Sequence, residues 1–195
     1  TVTTQRTSLI VDPPNGRIPP LTGSAEQRSA ARREARRGVG TDEVSPGGWI
    51  DELNPPVRCI LGFNQGPPMT PSAYNNNMQL FQTPDHVVIL NEMIHDARIV
   101  PLDGRSQLPP HLRQWVGSSR GRWDGDTLVV ETTNRRDPSF RGATGELHLT
   151  ERFTRTDDTT LVYEVTLHDP ATWGQPWTFM VPMTRNSDEV YEYAC

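Results

Sequence analysis

The sequence predicts a mainly β protein, in which an antiparallel sheet closes as an up-and-down barrel or, as the alternative, packs as a β-sandwich. Composition is the first reason: 195 residues with 18 Pro, 15 Gly and 34% hydrophobic residues indicate turns and extended segments rather than a helical bundle. The second reason is that short alternating runs, separated by turn residues, follow one another from residue 77 onward. The length indicates one domain with a real core.

Composition also limits the function. A net charge of −5 argues against nucleic acid as a general partner, and all 19 basic residues are Arg, which excludes a lysine Schiff base. No stretch approaches the roughly 18 apolar residues that a membrane span needs. No glycine-rich phosphate loop is present and the histidines are scattered, so we predict neither a cofactor nor a metal.

The sequence of residues 1–76 predicts an extended arm, a helix and a loop-rich segment that covers one end of the sheet. Residues 1–23 read as a proline-rich extended arm, with Ser8–Val11 as an edge strand, lying across the domain or across a neighbour in a homo-oligomer. Residues 24–195 form the single domain. Its helix spans Ser24–Gly38, with Ser24 and Gln27 as a capping box and Gly38 as the stop. The loop-rich residues 39–76 are expected to cover one end of the sheet.

Residues 77–195 are predicted to form the antiparallel β body, with about eight or nine strands joined by short turns. Asp124-Gly125 is a two-residue turn typical of a tight hairpin, and Asp157-Asp158 marks another. Successive hairpins favour a barrel of the calycin, or lipocalin-like, type. The predicted strands are Asn77–Thr83, Asp85–His95, Ala97–Leu102, Ser119–Trp123, Asp126–Thr132, Glu146–Arg155, Thr160–His168, Pro176–Thr184 and Glu189–Ala194.

The motifs GRWDGDTLVVETTN, LHLTERFTR, YEVTLHDPATW, PWTFMVPM and NEMIHDARIVPLDGR cover much of the chain. In them the sequence resembles a group of uncharacterised β-rich proteins from soil and marine bacteria. The resemblance implies a proline-rich arm before a short helix and a β-rich body. It transfers no catalytic residue, because the group has no established activity. Similar sequences continue past the position of Cys195, so we expect a further C-terminal segment.

Cysteine usage and the N-terminus bear on the cellular compartment. The two cysteines, Cys59 and Cys195, lack the spacing of a redox motif, and a disulfide between them and two free thiols both stay open. The chain begins without the apolar segment of a signal peptide. We expect a bacterial protein exported to the periplasm or the cell exterior, with any signal peptide already removed.

Two carboxylates fall in apolar rows of predicted strands. Alternation places Glu92 in the row with Val88 and Leu90, and Glu151 in the row with Leu149 and Phe153. A carboxylate facing a barrel interior must be paired, hydrogen-bonded or protonated. Each is therefore either half of a structural Arg–Glu pair or a general acid or base in a pocket.

A second cluster lies at a predicted strand break, in His95-Asp96-x-Arg98. A turn there would bring the three side chains together as a proton shuttle, its orienting carboxylate and an anion-holding arginine. The alternative is an ordinary turn with a solvated ion pair. We therefore predict Glu92, His95, Asp96 and Glu151 as the catalytic candidates.

The predicted function is small-molecule binding, with a cofactor-independent lyase, isomerase or hydrolase acting on an organic or sugar-like substrate as its catalytic form. The alternatives are a non-catalytic binding or envelope-associated module, and an assembly protein that uses its arm. Aromatic, amide and basic residues near strand ends supply the candidate substrate contacts. These are Tyr74, Asn76, Arg98, Arg120, Trp123 and His148.

Overall fold

The computed structural model describes residues 7–40, 42–136, 140–191 and 193. This part of the chain holds one α-helix and two antiparallel sheets, which confirms the mainly β prediction. In chain order the elements are β1 (Ile10–Asp12), α1 (Gly23–Ala35), β2 (Met78–Gln82), β3 (His86–Asn91), β4 (Ala97–Pro101), β5 (Ser118–Asp124), β6 (Thr127–Thr133), β7 (His148–Arg155), β8 (Thr160–His168) and β9 (Trp177–Thr184).

The described part of the N-terminal arm lies against its own domain. Strand β1 pairs antiparallel with β9, with Ile10 opposite Phe179. Further along, the Thr22 N–H donates to Thr172 O and the Gly174 N–H donates to Pro20 O. The assembly hypothesis gains no support from this arrangement, because the edge strand of the arm is already paired within the chain.

Helix α1 begins and ends earlier than predicted. The N-cap is Thr22, whose hydroxyl accepts from the Ala25 N–H at 3.2 Å, so the expected capping box of Ser24 and Gln27 is wrong. The same hydroxyl donates to Ala171 O at 2.9 Å and so ties the helix to the loop before β9. The helix ends at Ala35, and turns rather than helix lead to Gly38.

The larger sheet has the order β1-β9-β8-β7-β6-β5. The β7–β8 hairpin is where the sequence predicts it. The β5–β6 hairpin also forms, but Asp124 pairs with Thr127, so the two loop residues are Gly125 and Asp126. Gly125 takes the first loop position with φ 58°, a left-handed conformation that glycine tolerates.

The predicted C-terminal strand is wrong for its described residues. Glu189, Val190 and Tyr191 belong to no strand, and Ala194 lies outside the described residues. Strand β1 occupies the edge of β9 at Thr178 and Phe179, so a C-terminal strand cannot pair along the whole of that edge.

The smaller sheet has the order β2-β3-β4. Strand β3 ends at Asn91, four residues before the predicted end. Glu92 has helical φ and ψ, and Ile94 and His95 have φ of 62° and 43°, which turn the chain sharply into β4. The buried face of β3 carries Val87, Ile89 and Asn91, so the predicted inward row of Val88, Leu90 and Glu92 is wrong.

The two sheets share one hydrophobic core. Val87, Ile89 and Val100 of the smaller sheet pack with inward residues of β6 to β9, such as Leu149 and Trp177. The smaller sheet approaches β5 so closely that a Cβ on Gly121 would lie 2.9 Å from Val100 and 2.7 Å from Leu102. The centre of the molecule is therefore filled with side chains.

Neither sheet closes on itself. Among the described residues no strand pairing joins β4 to β5 or β2 to β9. The structure described here also contains no helix with the length and hydropathy that a membrane crossing requires.

Candidate functional site

A cleft of about 790 Å³ opens where β2 faces the end of β9. We call it the amide cleft, because six of the chain's nine asparagines line it. The asparagines are Asn64, Asn75, Asn76, Asn77, Asn91 and Asn186. The first four belong to the loop that precedes β2, so the predicted cover over one end of the sheet forms a wall of this cleft.

Asn64 organises the loop wall. Its Nδ2 lies within hydrogen-bond distance of the carbonyl oxygens of Tyr74 and Asn75, at 3.2 and 2.8 Å, and of Ser72 Oγ at 2.9 Å. Since carbonyl oxygens only accept, the amide orientation of Asn64 is fixed. Asn76 accepts from the Ser72 N–H at 2.8 Å and donates back to Ser72 O at 2.8 Å. The wall is therefore held by its own amides.

Two asparagines that line the cleft form a series of side-chain hydrogen bonds that ends at Glu92. Asn186, which follows β9, donates to Asn77 Oδ1 at 3.2 Å, and Asn77 Nδ2 donates to Glu92 Oε2 at 3.0 Å. These hydrogen bonds link the end of β9 to the beginning of β2 and to the turn after β3.

Apolar side chains complete the cleft. Four of the five methionines line it, together with three branched aliphatic residues. Methionine is flexible and polarisable and adapts to irregular shapes. These methionine and aliphatic residues are Met69, Met78, Met93, Met183, Leu80, Leu161 and Val181, and Pro71 and Pro182 also line the cleft.

A smaller pocket of about 230 Å³ adjoins the amide cleft through Asn91, which lines both. It is lined by Glu92 and His95 with the apolar side chains of Leu90 and Val190. Tyr191 completes it. Two of the four predicted catalytic residues thus share one pocket.

Glu92 is 6% exposed, although the inward row that predicted its burial is wrong. It is buried because the chain turns inward after β3. Its hydrogen-bond donors are the side chain of Asn77 at 3.0 Å and the Asn77 N–H at 3.4 Å. Within the described part of the chain, no arginine forms a salt bridge with Glu92.

The other two predicted catalytic residues lie elsewhere. Asp96 accepts from Gln65 Nε2 at 2.5 Å, which ties the turn to the loop wall. Glu151 lies in the core, 0% exposed, and receives two hydrogen bonds from Arg98, at 2.5 and 2.9 Å. The turn therefore does not gather His95, Asp96 and Arg98 around a common point.

Arg98, Glu151 and Tyr163 form a buried ionic cluster. The Tyr163 hydroxyl donates to Glu151 Oε1 at 2.7 Å. Burial by itself would lower the pKa of Arg98, but the charge and hydrogen bonds of Glu151 outweigh it and raise that pKa. Burial, followed by the Glu151 charge, raises the pKa of Tyr163 well above its usual value. The cluster holds Arg98 charged and Tyr163 protonated.

Among the predicted substrate contacts, only Asn76 lines one of the two pockets. Arg98 lies in the core, and Arg120, Trp123 and His148 also lie outside both pockets. Arg120 donates to Ser106 O and Ser119 O, at 2.9 and 2.7 Å. Trp123 is 46% exposed at the end of β5, and His148 lies 4.0 Å from Glu131 on the outer face of the sheet.

Tyr74 and Asn76 lie at the loop wall. Asn76 lines the amide cleft. Tyr74 is half exposed, with its ring centroid 5.5 Å from that of Phe63, and the hydrogen bond to Tyr193 raises its pKa.

Sequence reasoning missed Asn64, Asn91, Asn186, Met69 and Tyr163. Tyr163 could have been found, because alternation on β8 places it in the same row as Val165 and Leu167, which are buried. The asparagines and Met69 come from separate loops and strand ends, and no periodicity brings these together.

Comparisons with known proteins bring no relative: no family model, curated protein or solved structure matches the chain. In the described ranges no group of three or more His, Cys, Asp and Glu side chains has the arrangement of a metal site. The amide cleft offers hydrogen-bond donors, acceptors and an apolar surface, and the adjoining pocket offers one carboxylate and one imidazole.

Proposed function

We propose that the chain binds a small, uncharged, hydroxylated organic molecule of the sugar type in the amide cleft. The observation that carries this proposal is the convergence of six asparagines on one cleft that also has an apolar lining. Each amide carries two N–H donors and a carbonyl acceptor, and the hydrogen bonds within the wall use only part of this capacity. Ring hydroxyl groups both donate and accept, and the C–H face of a ring suits the apolar lining.

Charge supports a neutral ligand. The titratable residues that line the cleft are Arg155, Asp158 and Arg185, all near the β7–β8 turn and the end of β9. Arg155 is already engaged, since it donates to Asp157 O at 3.1 Å and to Asp158 O at 3.2 Å. The rest of the lining is polar without charge or apolar, as in pockets that select by hydrogen bonding.

We further infer that the cleft is the open seam of a flattened up-and-down barrel of the calycin-like type. Sequential pairing from β2 to β4 and from β5 to β9 supports this, as does the close approach of β4 to β5 at Gly121. The alternative is a β-sandwich of the two sheets. In either arrangement the filled core directs binding to the mouth rather than to the interior.

Calorimetric titration with glucose, N-acetylglucosamine and cellobiose tests the proposal. We expect at least one of these probes to bind, and Leu80→Trp to abolish that binding because Leu80 lines the cleft and a larger ring fills it. Ile99→Trp is the matched control, since Ile99 is 61% exposed, lies on β4 and does not line the cleft. Absence of heat with all three probes, or equal loss in both variants, would contradict the proposal.

A second candidate function is cofactor-independent acid/base catalysis: a lyase, isomerase or hydrolase acting through Glu92 and His95. The observation that favours it is a buried carboxylate without an arginine partner among the described residues, in the same pocket as an imidazole. Its proximity to the amide cleft through Asn91 would bring a bound sugar close to both groups. The non-catalytic binding module is the alternative.

Turnover separates these two functions. Sugar isomerisation and hydrolysis of nitrophenyl glycosides are to be measured for the wild type, Glu92→Gln and His95→Ala. The catalytic candidate predicts activity in the wild type and its loss in both folded variants. A wild type that binds a probe without turning over any substrate supports the binding module instead.

We also propose that the protein is exported. Cys59 is disulfide-bonded, and Cys195 lies outside the described residues. Disulfides persist in oxidising compartments, which supports a periplasmic or extracellular location. Mass spectrometry of alkylated, non-reduced protein from the periplasmic fraction is expected to find Cys59 unmodified, and an alkylated Cys59 would contradict this.

A further inference from the structure

The segment Pro67–Met69, which we call the floor segment, connects the amide cleft to the buried ionic cluster. All three of its residues are buried, and Met69 lines the cleft. The segment follows Gly66, which has φ 79° and lies so close to the chain ahead that a Cβ would approach Met69 N to 2.6 Å. A side chain at position 66 would push the floor segment out of place.

The floor segment has few backbone N–H groups that can form hydrogen bonds with the rest of the molecule. Pro67 and Pro68 have no backbone N–H, so Met69 supplies the first backbone donor after Gly66. A buried N–H without an acceptor costs free energy, commonly about 1–3 kcal/mol. The acceptor of the Met69 N–H is the hydroxyl of Tyr163, at 3.0 Å.

The Tyr163 hydroxyl therefore hydrogen-bonds to both the floor segment and the ionic cluster. It accepts from the Met69 N–H and donates to Glu151 Oε1 at 2.7 Å. Glu151 in turn is held by Arg98. The position of Met69 is thus set by a continuous buried path that runs from β4 through β7 and β8.

A second anchor holds the beginning of the floor segment. Arg135 is 5% exposed and donates from its guanidinium to Pro67 O. Burial, followed by the charge of Arg98, lowers the pKa of Arg135 to about 10. A cation is kept buried beside another cation, and its hydrogen bond goes to the floor segment.

From these contacts we propose that Tyr163 and Arg135 are positioning residues for the ligand cleft, which they shape by fixing the floor segment and with it Met69. This inference rests on the proposed function of the amide cleft. Neither residue lines the cleft itself, so each acts only through the floor segment.

Tyr163→Phe tests the inference, with Thr132→Val as its matched control. Each variant removes one hydroxyl near the same carboxylate, since Thr132 Oγ1 lies 3.5 Å from Glu151 Oε2. Only the hydroxyl of Tyr163 also holds the floor segment. Two quantities are measured on the intact chain: hydrogen exchange of the Met69 amide, and the dissociation constants of glucose, N-acetylglucosamine and cellobiose.

In Tyr163→Phe we expect exchange of the Met69 amide to become at least about tenfold faster, and the affinity for the bound probe to fall about threefold to tenfold, since one buried hydrogen bond is lost. In Thr132→Val we expect both quantities to stay close to their wild-type values. An unchanged Met69 amide and unchanged affinity in Tyr163→Phe would overturn the inference, as would equal changes in the two variants.

Failure of the two proposals can be told apart. If the wild type binds none of the three probes, the proposed function fails, while the Met69 amide still reports whether Tyr163 fixes the floor segment. If the wild type binds a probe and Tyr163→Phe binds it equally well, only the positioning role fails. Arg135→Met provides a second variant, which is expected to weaken the same probe without changing the Tyr163–Glu151 hydrogen bond.

Discussion

Two buried glutamates occupy contrasting surroundings in this molecule. Glu151, in the middle of β7, is 0% exposed and receives two hydrogen bonds from Arg98 and one from Tyr163. Glu92, just after β3, is 6% exposed and receives its hydrogen bonds from Asn77. One carboxylate is neutralised by an arginine inside the core. The other accepts hydrogen bonds from amide groups of the described residues, and it shares a pocket with an imidazole next to the amide cleft.

The difference shows how similar burial can serve separate purposes. A bidentate arginine with a tyrosine uses the acceptor positions of a carboxylate and leaves it little capacity for chemistry. An amide partner supplies hydrogen bonds without an opposing charge, and it leaves acceptor positions of the carboxylate open to a ligand. The core pair serves the fold, and Glu92 is the carboxylate that we propose for function.

The largest expected effect is at the core pair. Arg98→Met leaves Glu151 as an unpaired buried charge, and we expect the free energy of unfolding to fall by about 3–5 kcal/mol in urea titrations. Arg122→Met is the control, because the Arg122–Glu131 pair is 59% and 39% exposed and such pairs contribute less than about 1 kcal/mol. Equal losses in the two variants would contradict the structural role of the cluster.

Removing both charges of the core pair tests whether the pair stabilises the fold only because each charge neutralises the other. Arg98→Met combined with Glu151→Leu exchanges the ion pair for apolar side chains of similar size, and such exchanges are often neutral. We expect the double variant to recover most of the stability that Arg98→Met loses, as measured by the urea midpoint. A double variant less stable than Arg98→Met would show that the pair contributes more than mutual neutralisation.

The raised pKa of Tyr163 predicts a smaller change in the free energy of unfolding, which appears at alkaline pH. Its pKa is raised in the folded state, so above a pH of about 10 the unfolded chain loses the tyrosine proton while the folded chain keeps it. The stability is therefore complete below pH 10 and falls as pH rises toward the folded-state pKa, by up to about 1.4 kcal/mol per pH unit.

Urea unfolding at pH 8, 10 and 11 measures this dependence. Tyr163→Phe lacks the titrating group, so its stability is expected to fall less between pH 10 and 11 than that of the wild type. The other three tyrosines of the chain are common to both proteins, so their contributions cancel in the comparison. Parallel curves for the two proteins would contradict the assignment of Tyr163 as a buried, protonated member of the cluster.

The smallest expected effect is at Glu92. Glu92→Gln keeps an oxygen that can accept from Asn77, so we expect a change in unfolding free energy within about 1 kcal/mol, measured at pH 7. A loss as large as that expected for Arg98→Met would mean that the charge of Glu92 is structural. The contrast between the two glutamates would then disappear.

Much of the fold could be predicted from local patterns. Alternation in β7 correctly placed Glu151 inward with Leu149 and Phe153, and turn residues located the β7–β8 hairpin. The errors arose where the chain leaves regular structure. The prediction for Glu92 was wrong in two respects: the buried row of β3 is Val87, Ile89 and Asn91, and the strand ends one residue before Glu92.

The site was harder to predict than the fold. The predicted strand after residue 188 could not pair along the whole of β9, because a distant segment, β1, occupies part of that edge. The amide cleft joins Asn64, Asn91 and Asn186, which lie far apart in sequence and share no local pattern. Only tertiary packing brings them together, so the sequence indicated Asn76 and Glu92 but neither the cleft nor the adjoining pocket.

The methionines allow the most direct test of binding at the amide cleft. Labelling the methyl groups of all five methionines with carbon-13 gives five reporters, of which Met69, Met78, Met93 and Met183 line the cleft and Met180 does not. During titration with cellobiose and N-acetylglucosamine, we predict that resonances of the four cleft methyl groups shift while that of Met180 stays in place. Shifts at Met180 alone, or no shift at any methionine, would contradict binding in the cleft.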